Sequence, residues 1–198
     1  MKSQLESLYK RAGITKESCF HASRRLSKHN EYSLVLFTTL AFSLIILSLL
    51  TQIYSDNSFI TEYNRFISFA ITVTSVFAMT IAVIIQKSDF SLKAEEFRRQ
   101  AVELNEFRIS FRHLIDNDSL SEKKRKKIYD KRSYKYSKIM KKSVVHTQID
   151  YDVSHTKGIE HLFYYTKMFI TEFFWYLITL SVSLYFLFWV CINTYNIT

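Results

Sequence analysis

Three segments of about twenty residues contain no charged side chain, and they constrain the fold more than any other feature of this chain. They are residues 34–53, 66–85 and 173–192. A helix of this length spans roughly 30 Å, which matches the hydrocarbon core of a bilayer. A soluble domain of 198 residues has no need for three such helices. The sequence therefore predicts an integral membrane protein.

The rest of the composition predicts an all-α fold. The chain has two glycines and no proline, the residues that build tight turns and break helices. Its two cysteines, Cys19 and Cys191, are expected on opposite sides of the membrane. We therefore predict two free thiols rather than a disulfide.

The distribution of Lys and Arg predicts the topology. Residues 1–32 carry seven of them and residues 86–172 carry nineteen, whereas residues 54–65 carry one and the tail after Ile192 carries none. Because positively charged segments remain in the cytoplasm, we expect the N-terminus and the middle segment inside and the C-terminus outside. The formal net charge of +9 is then mainly a topology signal, and direct nucleic-acid binding is a weaker explanation for it.

Four regions follow along the chain. Residues 1–32 form a basic helical segment, 33–87 a transmembrane hairpin, 88–157 a cytoplasmic helical hairpin, and 158–198 a third transmembrane helix with a short outer tail. In the first region a capping box at Ser3 and Glu6 opens a short helix that Gly13 ends, and a second helix begins near Thr15. This second helix lies along the lipid headgroups or is simply solvated, and the sequence does not decide which.

Small residues recur every four positions in the second span and predict a helix-packing face. Such faces allow helix backbones to approach closely in lipid. Two interpretations of this face remain open. It is an oligomer interface beside a mildly polar pore lining, or it packs against the first span of the same chain. The small row is Ala70, Thr74, Ala78 and Ala82, and the adjoining hydroxyl strip is Ser68, Thr72 and Ser75.

Apolar residues continue beyond the second span with heptad spacing. The pattern predicts one helix from about Arg65 to Ile115, roughly 75 Å long. One position of the pattern, Arg108, is not apolar. The sequence leaves open whether this heptad seam is covered within the chain or by a second subunit. The seam is Phe90, Ala94, Phe97, Ala101, Leu104, Arg108, Phe111 and Ile115.

A return helix should follow a polar turn at residues 116–119. A capping box at Ser119 and Glu122 starts it, and it extends to about Val145. Apolar residues on it are available to cover the seam: Ile128, Tyr129, Tyr136, Ile139 and Val144. Near its start lies the densest basic run, a contact for a partner or for lipid, or a solvated helix start: Lys123, Lys124, Arg125, Lys126 and Lys127.

The sequence offers no catalytic site, no cofactor and no metal site. With glycine only at positions 13 and 158, no glycine-rich phosphate loop exists, and Gly158 instead marks a break before the third span. His146 and Asp150 are four apart, but a metal site needs three or four convergent ligands. The three spans contain no ionisable residue, which disfavours ion-coupled transport. We expect a protein that is not an enzyme.

Two short segments resemble the SLATT family, two-span effectors of bacterial conflict systems. One is Thr15-Lys-Glu-Ser with His21-Ala-Ser-Arg-Arg-Leu, and the other begins at Lys93-Ala-Glu-Glu-Phe. The segment from Ile128 to Tyr151 is similar to the subgroup often found beside reverse transcriptases. The resemblance covers roughly residues 10–155, so the third span lies beyond it.

The resemblance implies an effector of the bacterial inner membrane that forms a pore or disrupts the bilayer. Such an effector would be kept inactive until a cytoplasmic sensor, or a partner linked to a reverse transcriptase or a nucleotide signal, detects infection and triggers abortive infection. The small-residue row of the second span favours a homo-oligomer. The alternative is a membrane anchor that localises a cytoplasmic defence partner without forming a pore.

Overall fold

The computed structural model describes residues 2–115, 121–142 and 147–196, and these residues form helices joined by short connections. Three helical stretches are long and apolar enough to cross a membrane: Lys2–Ile53, Ser58–Ile115 and Gly158–Tyr195. The predicted all-α fold with three candidate spans is confirmed. The elements are α1 (Lys2–Ile53), α2 (Ser58–Ser88), α3 (Phe90–Ile115), α4 (Glu122–Lys141), α5 (Gln148–His155), α6 (Gly158–Met168), a π-helical turn (Phe169–Phe173) and α7 (Phe174–Asn196).

Helix α1 corrects the prediction for the N-terminal region. It is one helix of 52 residues, so the predicted helix end at Gly13 and the new start near Thr15 are wrong. Glycine in a helix interior costs only about 1 kcal/mol relative to alanine. Buried residues at helical spacing on both sides of Gly13, such as Leu8, Ala12 and Cys19, outweigh that cost.

A single residue interrupts the predicted helix over residues 65–115. Asp89 has φ 48° and ψ 42°, which is the left-handed conformation, and it separates α2 from α3. The expectation of an unbroken helix is therefore wrong at this position. Aspartate enters the left-handed region more readily than most residues because its short polar side chain can hydrogen-bond locally, so α2 ends here without a glycine.

Helix α4 begins close to the predicted position. Its N-cap is Ser121, with extended backbone, rather than Ser119. Residue 119 and the predicted end near Val145 lie outside the described residues. After α5, whose capping box joins Thr147 and Asp150, the chain breaks before Gly158, whose φ of +63° favours glycine.

The chain divides into two compact units. The first unit comprises residues 1–27 and 90–168. Its core joins one face of the N-terminal part of α1 to α3, with Ile139 of α4 completing it. Phe107 and Phe111 are among its largest fully buried side chains.

The second unit comprises residues 28–89 and 169–198 and contains the three uncharged segments. Leu47, Ile67 and Val190 bring the three spans together in one buried cluster. The side chain of Asn57 caps α2 by accepting from Phe59 N at 3.0 Å, and it donates to the Thr194 carbonyl at 3.2 Å. This one amide therefore ties the start of α2 to the end of α7.

Candidate functional site

The small-residue row of α2 lies against other helices of the same chain. Ala78 is 6% exposed and belongs to a cluster with Leu36 and Leu40 of α1. Ala70 and Thr74 line a groove of about 300 Å³ between the three spans, and Ala82 is half-buried. Ala78 therefore packs against the first span of the same chain. This is one of the two alternatives that the sequence left open for the row.

The hydroxyl strip of α2 lies on the outer surface of the second unit. Ser68, Thr72 and Ser75 are all exposed. Thr72 Oγ1 donates to the Ser68 carbonyl at 2.9 Å and Ser75 Oγ to the Ile71 carbonyl at 2.8 Å. Because each hydroxyl proton is used within the helix, the strip can face lipid or another helix without an unpaired donor.

A buried polar cluster that the sequence analysis did not identify joins α1 to the π-helical turn. His29 is 8% exposed, and its Nε2 lies 2.7 Å from Glu172 Oε2 while its Nδ1 lies 3.3 Å from Tyr176 OH. Phe173 packs on the imidazole ring at a centroid distance of 4.5 Å. Polar residues buried at the ends of spans are frequently functional. The sequence did contain a signal for this cluster, because His29 and Glu172 each lie within two helical turns of the start of an uncharged segment.

The heptad seam is covered within the chain in this structure. Ala94, Phe97, Ala101, Leu104, Phe111 and Ile115 are buried, whereas Phe90 and Arg108 are half-buried. The covering residues come from α4, as the sequence suggested, and also from the N-terminal part of α1, which it did not suggest. Val144, the fifth predicted covering residue, lies outside the described residues.

Arg108, the one residue of the heptad seam that is not apolar, contacts two residues of α1. Its guanidinium carbon lies 4.3 Å from the ring centroid of Tyr9. A Cβ placed on Gly13 would lie 3.0 Å from the same carbon. The missing side chain at Gly13 therefore provides the space that the guanidinium occupies against α1.

A buried ion pair connects α1 to α5 in the first unit. Arg25 Nε and Nη2 donate to the two Asp150 oxygens at 2.9 and 3.0 Å, and the Asp150 side chain is fully buried. Thr147 Oγ1 donates to Asp150 Oδ2 at 2.7 Å. The sequence analysis had weighed Asp150 only as a metal ligand beside His146, which lies outside the described residues.

Two titratable groups near this ion pair have displaced pKa values. Burial, with the Asp150 charge as a smaller cause, raises the pKa of the Cys19 thiol to about 12. Burial is the main cause that lowers the pKa of His21. The Asp150 charge acts in the opposite direction, and the charges of Arg24, His161 and Arg25 lower the pKa further. Both groups are therefore neutral at physiological pH. Cys19 and Cys191 are free thiols, as predicted.

The predicted basic run lies at the start of α4. Lys123, Lys124, Lys126 and Lys127 are exposed, whereas Arg125 is buried. Among the described residues, no group of three His, Cys, Asp or Glu side chains is arranged to hold a metal ion.

Comparison with known protein families accounts for nearly the whole chain. Residues 1–197 match the family described as "SMODS and SLOG-associating 2TM effector domain family 5". The protein belongs to the SLATT family. The SLATT match includes α7, so the expectation that the resemblance ends near residue 155 is wrong. No curated protein and no solved structure matches the chain.

The structure adds one feature to the family description. The description specifies two transmembrane segments, whereas the described residues of this SLATT chain include three helices that could each span a membrane. The protein is therefore a membrane effector domain whose third apolar helix is part of the matched family region.

Proposed function

We propose that this SLATT protein is an oligomeric effector that permeabilises the bacterial inner membrane during abortive infection. The observation that carries the proposal is the match of residues 1–197 to an effector-domain family in a chain with three helices long enough to span a bilayer. The cytoplasmic helices receive the trigger and the second unit forms the leak.

The distribution of charge supports the proposed orientation. The first unit contains the N-terminal basic residues and the basic helix α4, so the positive-inside rule favours a cytoplasmic position for it. With three spans, the C-terminus would then lie outside. A signal that reaches the cytoplasm therefore has direct access to α3 and α4.

The hydroxyl strip of α2 is the proposed contact between copies. The alanine-rich row is already covered by the same chain, whereas Ser68, Thr72 and Ser75 are exposed and small. Met79, which continues the strip, is 72% exposed. Helices associate in lipid through close packing at small residues, so this face can accept the α2 of a second copy.

The central test is membrane permeability in cells. Induced expression together with the native trigger should collapse the membrane potential and admit an otherwise excluded dye. Intact potential and intact dye exclusion under these conditions would contradict the proposal.

Two matched double variants test the proposed contact. Thr72→Leu with Ser75→Leu adds bulk and should abolish permeabilisation while insertion stays normal. Thr72→Val with Ser75→Ala removes the hydroxyls but keeps the surface small, so close packing predicts retained activity. Loss of permeabilisation in both double variants would show that the hydroxyl groups are required, as expected of a polar pore lining. Val35→Leu, on an exposed part of α1, controls for added volume, and equal loss there would contradict an interface at the strip.

A second candidate function is a membrane anchor for a cytoplasmic defence partner. It is favoured by α4, in which ten of twenty residues are Lys or Arg, and by the family description, which names association with SMODS and SLOG proteins. Stable co-purification with a protein encoded nearby, such as a sensor or a reverse transcriptase, and no conductance in liposomes would support this function over a pore.

A further inference from the structure

The lysines of α4 form a continuous exposed stripe that extends far beyond the basic run at its start. The stripe recurs every three or four residues, the spacing that places side chains on one face of a helix. It covers about 27 Å of helix axis at the standard rise. The six lysines of the stripe, all exposed, are Lys124, Lys127, Lys131, Lys135 and Lys138 of α4 and Lys142, its C-cap residue.

This arrangement costs helix stability. Each neighbouring pair in the stripe is a like-charge pair at i,i+3 or i,i+4, and each such pair destabilises a helix by a few tenths of a kcal/mol. Within the part of the chain that the structure describes, none of the six ammonium groups is paired with a carboxylate. The ammonium groups of the stripe are therefore available to an anionic partner.

A groove runs beside the lower half of the stripe. It has a volume of about 430 Å³, and its lining includes Lys131, Lys135, Lys138 and Lys142, with Glu103 of α3 as the acidic residue. Tyr134 also lines it and is 75% exposed. The groove thus offers a row of positive charges next to an accessible aromatic ring.

The apolar residues of α4, which lie beside the lysine stripe, argue against a membrane surface as the partner. A helix that lies on a bilayer inserts an apolar face between the headgroups. In α4 the apolar residues Ile128, Tyr136 and Ile139 already pack against the core of the first unit. The exposed face has lysines around one aromatic ring and no aliphatic residue to insert.

We propose that this face binds single-stranded nucleic acid, with the lysines contacting the phosphates and Tyr134 stacking on a base. Proteins that bind single strands combine a positively charged groove with an exposed aromatic side chain, and both features are present here. The proposal concerns binding alone and does not depend on pore formation.

Direct binding can be measured with the full chain in nanodiscs of neutral phosphatidylcholine and a fluorescent 20-nucleotide oligo-dT. Six phosphate contacts predict a slope of about −4 in the logarithm of the binding constant against the logarithm of salt, since a single strand loses about 0.7 per contact. Affinity should therefore fall about 300-fold between 50 and 200 mM salt. Absence of binding at 50 mM salt would overturn the proposal.

Matched variants distinguish the stripe from general charge attraction. Lys131→Gln with Lys135→Gln should weaken binding at least about tenfold and reduce the slope by about 1.4. Lys10→Gln with Lys93→Gln removes the same charge from exposed positions elsewhere in the first unit and should change affinity less than twofold. Equal losses in the two double variants would overturn the proposal.

The aromatic contact and the alternative partner have their own tests. Tyr134→Ala should weaken binding at least about 5-fold, whereas Tyr134→Phe, which keeps the ring, should bind like the unmodified protein. Equal losses in these two variants would overturn the stacking contact. Binding to vesicles containing phosphatidylglycerol that depends on the stripe, without binding to oligo-dT, would assign the face to lipid and overturn the proposal.

Discussion

Arg108 occupies a position in the heptad seam where an apolar residue is expected, and its neighbours explain why it is tolerated. Its guanidinium packs over the ring of Tyr9, which provides a cation–π contact. It also fills the space beside the Cα of Gly13. A glycine in the interior of a helix and an arginine in a core seam are each unfavourable alone, but together they form one packed contact.

A double-mutant cycle at Gly13 and Arg108 tests this coupling. Gly13→Ala should destabilise the first unit by about 1 kcal/mol or more, because the new methyl displaces the guanidinium. In an Arg108→Ala background the same substitution should instead stabilise by up to about 1 kcal/mol, since alanine is the better helix former. Denaturant unfolding of the four proteins measures the coupling. The same sign in both backgrounds would show that the two residues do not interact.

The buried thiol of Cys19 gives a chemical prediction. Because the pKa of Cys19 is raised to about 12, the reactive thiolate is scarce at pH 8 in the folded protein. In a Cys191→Ser background, maleimide should therefore label Cys19 slowly in the native state and rapidly in denaturant. Equal rates in the two states would contradict the buried position.

The lowered pKa of His21 gives a prediction of pH dependence. In the unfolded chain His21 titrates near its ordinary value, whereas in the folded chain it stays neutral to lower pH. The unfolded state therefore binds more protons below about pH 6.5, so stability is retained above that pH and falls as pH decreases. His21→Leu should reduce this loss in unfolding curves measured from pH 7 to pH 5. An unchanged pH dependence in the variant would exclude His21 as its source.

Connections between helices rely on a few buried polar groups. The Arg25–Asp150 pair attaches the short helix α5 to α1, and the contact of His29 with Glu172 attaches the π-helical turn to α1 within the second unit. A helix of eight residues such as α5 is too short to be stable alone. Its position therefore depends on contacts of this kind.

Removing one partner of the α5 pair should be costly. Asp150→Ala leaves the Arg25 charge with 10% side-chain exposure, and loss of one partner of a buried pair costs about 3–5 kcal/mol. Arg25→Met combined with Asp150→Leu should cost less than Asp150→Ala, because no buried charge remains. Asp152→Ala, on the same helix but only half-buried, is the control. Thermal unfolding in detergent compares the stability of these variants with that of the unmodified protein. A loss of stability in Asp152→Ala as large as in Asp150→Ala would contradict a specific contribution of the Arg25–Asp150 pair.

At the scale of the whole molecule, three spans would place the two termini on opposite sides of the membrane. The second unit exposes many large apolar side chains, among them Phe42, Phe69 and Trp175. Such an apolar surface suits a lipid environment. The family description of two spans would instead place both termini on the same side.

Labelling with a membrane-impermeant maleimide tests the topology. In a chain with Cys19→Ser and Cys191→Ser, a cysteine introduced by Ser55→Cys should react in spheroplasts. A cysteine introduced by Ser137→Cys, on the exposed surface of α4, should react only after the membrane is opened. Labelling of both positions in intact spheroplasts would contradict the proposed orientation.

The sequence by itself determined the environment and the class of the fold. Three uncharged segments of bilayer length, with almost no helix breakers, leave helical spans as the available solution because backbone groups in lipid must be hydrogen-bonded internally. Heptad spacing likewise identified the buried face of α3, since residues on one face of a helix follow from periodicity alone. These are properties of a segment and its solvent, so a local pattern contains them.

The tertiary structure decided which surfaces are paired. Periodicity shows that Ala78 and Leu104 lie on packing faces, but it does not name the partner, which proved to be α1 in both cases. It also does not show that Gly13 makes room for Arg108 or that Arg25 meets Asp150, because these contacts join residues far apart in the chain.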